Sequence, residues 1–71
     1  MSVAPISIRL NGEIKEVPAG ISISGLLQLA GYGERRVAIE RNGEIVPRSQ
    51  HLIAEVAAND RIEIVQAIGG G

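Results

Sequence analysis

The chain has 71 residues, 45% hydrophobic and 21% charged, with no cysteine and no tryptophan. Seven Lys and Arg against eight Asp and Glu leave a formal net charge of −1. Without cysteine there is no disulfide framework or thiolate-rich metal site, so apolar burial must hold together a domain this small. The aliphatic content excludes a disordered tail. The apolar runs fall far short of the ~20 residues that a membrane span needs. Nucleic-acid modules carry a basic excess and stacking aromatics, and Tyr32 is the sole aromatic here. The first ten residues lack a basic start followed by an apolar stretch, so no secretory signal is expected and the expected compartment is cytoplasmic. A protein is the expected partner, rather than nucleic acid or membrane.

Ile6, Ile8 and Leu10 alternate with Ser7 and Arg9, the period of a half-buried strand. Asn11-Gly12 follows, a strong hairpin signal because both residues tolerate positive φ. Glu13–Val17 reads as the returning strand, and Pro18 ends it for want of a backbone donor. Over residues 20–31 the rhythm changes. Ile23, Leu26, Leu27 and Ala30 recur at helical spacing, with Ser22 as N-cap and Gly31 or Gly33 as left-handed terminator. Gly25 inside this helix costs ~1 kcal/mol relative to Ala, so the helix must lean on tertiary packing.

Val37–Arg41 is a further strand; Asn42-Gly43 turns it into a short strand over 44–46, and Pro47 stops it. Asn11-Gly12-Glu13-Ile14 thus recurs as Asn42-Gly43-Glu44-Ile45. Two copies make shared turn chemistry, not a repeat architecture, which needs about three stacked units. Residues 48–58 read as irregular, with a short helical turn near 49–52. Asn59-Asp60 turns into the clearest strand, over 61–68. Hairpin, helix, short hairpin and final strand predict an α+β fold, a mixed sheet with one main helix packed across one face. The first and last strands are central neighbours, which keeps the crossover right-handed. This is the β-grasp arrangement. Residues 1–68 are expected to form the globular domain and 69–71 a flexible glycine tail.

Catalytic signatures are missing. No Gly-x-Ser-x-Gly elbow or phosphate-binding loop is present. His51 is the only histidine, and a catalytic or metal-bound imidazole needs oriented partners, so a structural role is expected. Gly31-Tyr32-Gly33 follows a helix, where a dinucleotide loop would precede one, and reads as a cap. No metal site, bound cofactor or catalytic residue is expected. The anomaly is Gly69-Gly70-Gly71. At an average glycine frequency of about 7%, even two terminal glycines arise in roughly 0.5% of chains. Residues 67–71 can extend ~16–18 Å, and glycines thread a narrow channel into another protein's active site. Ordering them costs ~1–2 kcal/mol per residue, so the globular body must supply the docking affinity. Their carboxylate becomes electrophilic once a partner bearing a phosphate cradle and Mg²⁺ joins it to the α-phosphate of ATP. An amine nucleophile would then make the chain a conjugated tag, and a persulfide would make it a sulfur donor.

The stretch Val37-Ala38-Ile39-Glu40-Arg41-Asn42-Gly43-Glu44-Ile45-Val46-Pro47-Arg48-Ser49-Gln50 resembles the signature of the thiamine-pathway sulfur carrier proteins, the ThiS family. So do Asn59-Asp60-Arg61-Ile62-Glu63-Ile64-Val65 and Gly70-Gly71. The resemblance implies a ubiquitin-like β-grasp fold and a carrier rather than an enzyme. It implies that Gly71 is adenylated by an activating enzyme related to those that charge ubiquitin, with ATP and Mg²⁺ used by that partner. A sulfur-donating enzyme such as a cysteine desulfurase then supplies sulfur for a thiocarboxylate, which thiazole synthase consumes. Gly70 matches the motif's other glycine, and Gly69 stands where Ala is common. Two other readings stay open: a molybdopterin-synthase-type carrier or ubiquitin-like modifier, and a non-catalytic interaction module.

For docking, Val65 and Ala67 fall on the side of the last strand shared with Arg61 and Glu63, opposite Ile62 and Ile64. They are expected to form a partner patch with Val46 and Ile68, while Arg35 and Arg36 could steer toward an acidic partner.

Overall fold

Both Asn-Gly pairs turn the chain where the sequence predicts. In a computed structural model describing residues 4–33 and 35–66, Asn11 and Gly12 have φ of 51° and 86°, and Asn42 and Gly43 have φ of 54° and 88°. Two successive left-handed residues form the tight turn that matches the twist of an antiparallel hairpin. The first joins β1 (Ile6–Leu10) to β2 (Glu13–Val17), and the second joins β3 (Val37–Arg41) to β4 (Glu44–Ile45). Helix α1 (Ile23–Leu29) lies between the hairpins, and a 3₁₀ turn (Arg48–Gln50) and β5 (Arg61–Gln66) follow.

The sheet order is β2-β1-β5-β3-β4. As predicted, the first and last strands are neighbours, pairing in parallel at the centre. β5 also pairs antiparallel with β3, from Val37 opposite Gln66 to Arg41 opposite Ile62. This mixed five-stranded sheet with one main helix is the predicted β-grasp arrangement. One expected span comes out shorter. The hydrogen bond from Val46 N–H to the Ile39 carbonyl (2.8 Å) closes the second hairpin, and the chain leaves the sheet at Pro47. β5 is described as far as Gln66, and residues 67–68 of the expected strand and the 69–71 tail lie outside the described residues.

The two turn asparagines also complete the ladder of β5. Asn11 N–H donates to the Ile62 carbonyl (2.9 Å), and its Oδ1 accepts from Ile64 N–H (2.8 Å). Asn42 N–H donates to the Arg61 carbonyl (2.8 Å), and its Oδ1 accepts from Arg61 N–H (2.9 Å). A residue in the left-handed region swings its own carbonyl away from the neighbouring strand, and the short amide side chain supplies an oxygen there. Asn42 goes one step further: its Nδ2 donates to Asp60 Oδ1 (3.1 Å), while Asp60 Oδ2 accepts from Ala57 N–H (2.8 Å).

Ile23, Leu26 and Leu27 place the buried side of α1 on the sheet, against Ile8, Val17, Ile39, Val56, Ile62 and Ile64. Seven residues are too few for a self-standing helix. Burying three large aliphatics contributes ~1.5–3 kcal/mol each, well above the ~1 kcal/mol cost of Gly25. That glycine has a steric reason, because a Cβ there would lie 2.9 Å from Ile21 Cγ1. The first-turn amides are satisfied from outside the helix. Ile23 N–H donates to the Ala54 carbonyl (2.9 Å) and Ser24 N–H to the His51 carbonyl (2.8 Å). Gly25 N–H donates to Ser22 Oγ (3.0 Å), the expected N-cap. At the other end Gly31 (φ 90°) sends Tyr32 N–H back to the Leu27 carbonyl (2.9 Å) and its own N–H to Gln28 (3.1 Å). This is a Schellman closure that folds Tyr32 onto the core.

The identical turns differ in one testable way. Asn11→Asp keeps an accepting oxygen for Ile64 N–H and is expected to cost under ~1 kcal/mol. Asn42→Asp replaces the donor facing Asp60 with a second carboxylate and is expected to cost about 1–3 kcal/mol. Urea unfolding of the two variants checks this, and equal losses would refute the asymmetry.

Candidate partner-docking surface

Because α1 covers one face of the sheet, the other face is left to solvent. From Arg61 to Val65 burial alternates: Ile62 and Ile64 are buried, whereas Arg61, Glu63 and Val65 are exposed. Register carries this face across the sheet. Val65 lies opposite Ala38, and Glu63 lies opposite Glu40, which in turn pairs with Ile45. Val65 is 55% exposed and Ile45 63%. Val65 and Ala38 form an apolar pair near the C-terminal end of β5, and Ile45 shares their face on the far side of Glu40, in the row of the Glu63–Glu40 pair.

Val46 is not part of it. One residue beyond Ile45, it points to the helix side and packs, partly buried, against the core. The structure therefore brings Val65 and Ile45 onto one face and sets Val46 on the other. Ile45 carried a readable signal. A two-residue Asn-Gly turn pairs Arg41 with Glu44, hence Glu40 with Ile45, and so assigns Ile45 to the face of Glu40. The remaining named positions, Ala67, Ile68, Gly69, Gly70 and Gly71, lie outside the described residues.

Arg35 and Arg36 are exposed and directly precede Val37, the partner of Gln66. They therefore flank the end of β5 from which the chain runs on toward residues 67–71. His51 is buried, and its ring donates through Nε2 to the Val46 carbonyl (3.1 Å), since a carbonyl can only accept. With its own carbonyl bonded to Ser24 N–H, it ties the exit of β4 to the start of α1. Gly31-Tyr32-Gly33 is the helix closure described above. Among the described residues no three His, Cys, Asp or Glu gather to hold a metal ion, and no helix is long and apolar enough to cross a membrane.

Known proteins share this sequence and fold. The chain is 44% identical over 62 residues to a thiazole synthase of Paramagnetospirillum magneticum, covering 87% of this chain and 19% of that protein. It is 39% identical over 66 residues to a thiazole synthase of Magnetococcus marinus, covering 93% and 20%. The chain thus spans about a fifth of the length of these two relatives. The solved structure of a thiamine biosynthesis protein (ThiS) from Geobacter metallireducens superposes with a TM-score of 0.79 at 26% identity, covering 93% of this chain and all of that one. The sequence model of the ThiS family matches residues 8–71, from the first strand through the three glycines. This chain belongs to the ThiS family.

Proposed function

We propose that this protein carries sulfur for assembly of the thiazole of thiamine, with the Gly71 carboxylate as the group that is charged. The observation that carries the reading is the family match, which extends through Gly71; the β-grasp body shared with the ThiS structure supports it. A carboxylate oxygen attacks the α-phosphorus of ATP in an adenylating partner and displaces pyrophosphate, with Mg²⁺ neutralising the phosphates. A donor persulfide, formed by an enzyme such as a cysteine desulfurase, attacks the acyl carbon and expels AMP. A second thiol then cleaves the sulfur–sulfur bond and releases the thiocarboxylate. Similarity to segments of two thiazole synthases supports thiazole synthase as the acceptor. The chain itself is a co-substrate, and ATP and Mg²⁺ belong to the activating partner.

Within this reading the exposed face has a task. Partners must hold the globular body while the glycines occupy an active site, and Val65 and Ala38, with Ile45 farther across the same face, offer apolar side chains for that grip. Arg35 and Arg36 flank the same end and would speed encounter with an acidic partner more than they would tighten the complex.

Incubation with the adenylating enzyme, ATP and a sulfur source should raise the intact mass by one oxygen-to-sulfur exchange. No change with competent enzymes, or a ladder of protein adducts in its place, would overturn the carrier role. One residue appended after Gly71 should abolish the exchange without altering the unfolding midpoint. Gly70→Val should slow it through bulk and restricted φ.

Docking is tested separately. Val65→Asp and Ile45→Asp should each weaken binding to the adenylating enzyme roughly tenfold while leaving stability nearly unchanged. Val46→Asp should instead lower stability by about 1–3 kcal/mol, because its charge faces the core. Titration calorimetry and urea unfolding read the two effects.

A further inference from the structure

The opposite end of the open face is cationic. Arg9 of β1 and Arg61 of β5 are register partners in the parallel pair, and both are exposed. Together with Ser7, Ile14, Asn42 and Asn59 they line a concavity of about 470 Å³. No carboxylate is among the described residues that line it. On its other side Arg61 lines an adjoining concavity with Glu63 and Glu40, and Glu16 lies opposite Ser7. Neighbouring like charges destabilise a sheet, and a chain with net charge −1 has no general excess of cations to scatter.

Among the described residues, the hydrogen bonds that hold this corner together do not run through the guanidinium groups. Its bonds run through the backbone, from Arg9 N–H to the Asp60 carbonyl (2.9 Å) and from Arg61 N–H to Asn42 Oδ1 (2.9 Å). Arg41, by comparison, places its guanidinium on the Glu55 carbonyl (2.8 Å). Beside the two arginines, Ile14 is 72% exposed. A free phosphate or nucleotide would engage the cations and leave Ile14 bare, whereas a protein segment bearing carboxylates next to an apolar side chain covers both.

We propose that the corner formed by Arg9, Arg61 and Ile14 docks an acidic segment of a partner protein, its carboxylates held by the paired guanidinium groups and an adjacent apolar side chain laid on Ile14. Guanidinium forks bind carboxylates through two parallel hydrogen bonds, which sets orientation as well as attraction. Arg61 opens β5 and Gln66 is the last described residue of that strand, so the corner lies about 17 Å from the end where the chain continues toward Gly71. A partner can therefore hold the body there with the far end of the chain left free. The inference rests on the carrier reading only for the choice of partners in its test.

The test compares the full chain with Arg9→Glu/Arg61→Glu and Arg9→Gln/Arg61→Gln double variants. Association rates with the adenylating enzyme and with thiazole synthase are measured by stopped flow at low and physiological ionic strength. The Glu pair should associate roughly tenfold more slowly with at least one enzyme at low salt, with a flatter salt dependence. The Gln pair should fall between, with an unfolding midpoint equal to or above that of the unsubstituted chain. Unchanged rates and salt slopes with both enzymes would overturn the proposal. So would saturation of the Arg9 and Arg61 amide shifts by low-millimolar inorganic phosphate together with unchanged partner rates, which would assign the corner to a small anion. Failure of the unsubstituted chain to gain sulfur would refute the carrier reading instead, and the association rates would still decide the docking proposal.

Discussion

The amides of β5 must find partners on both sides, because this strand runs through the middle of the sheet and its neighbours arrive from tight turns that bend their own carbonyls away. Two asparagine oxygens meet that need, Asn11 at Ile64 on one side and Asn42 at Arg61 on the other. Left unpaired, the part-buried Ile64 amide would cost about 1–3 kcal/mol, a large share of the margin of a small domain, and the exposed Arg61 amide less. The same residues close the hairpins, so turn geometry and central pairing depend on one another. With β5 held in this register, Ile62 and Ile64 face α1, while Arg61, Glu63 and Val65 face outward. A slip of one residue would exchange the two sets.

The helix side obeys a related rule. A seven-residue helix cannot satisfy its own first-turn amides, and residues 51–54 pass close enough to lend the carbonyls of His51 and Ala54. The irregular stretch after β4 is thus a cap for a distant element, and the buried His51 ring fastens that cap to the Val46 carbonyl. Its Nε2 and its main-chain carbonyl are occupied by the architecture, and the chemistry proposed for this protein lies on main-chain atoms beyond β5.

Under the proposed carrier role, the body must be easy to grip and the end free to react. The open face is divided in a way that suits such a role. Val65 and Ala38 pair near Gln66, carboxylates cross the middle at Glu40 and Glu63, and paired arginines occupy the end near the hairpin turns. Apolar contact and charge are thereby separated along one surface, so affinity and rate of encounter can be set by different residues.

Local chemistry in the sequence determined the turns, the helix caps and the alternation of each strand, because left-handed φ, a hydroxyl cap and period-two burial depend on residues a few positions apart. It also determined the family, through the stretch around Asn42-Gly43 and the glycines at 69–71. Only the tertiary structure decided which neighbours each strand finds. It put Val46 against the core and Ile45 on the face of Val65, laid Arg9 next to Arg61 across more than fifty residues of chain, and separated two identical Asn-Gly turns by the presence of Asp60 beside one of them. Such pairings follow from how strands stack around a shared core, and no window along the chain contains both partners.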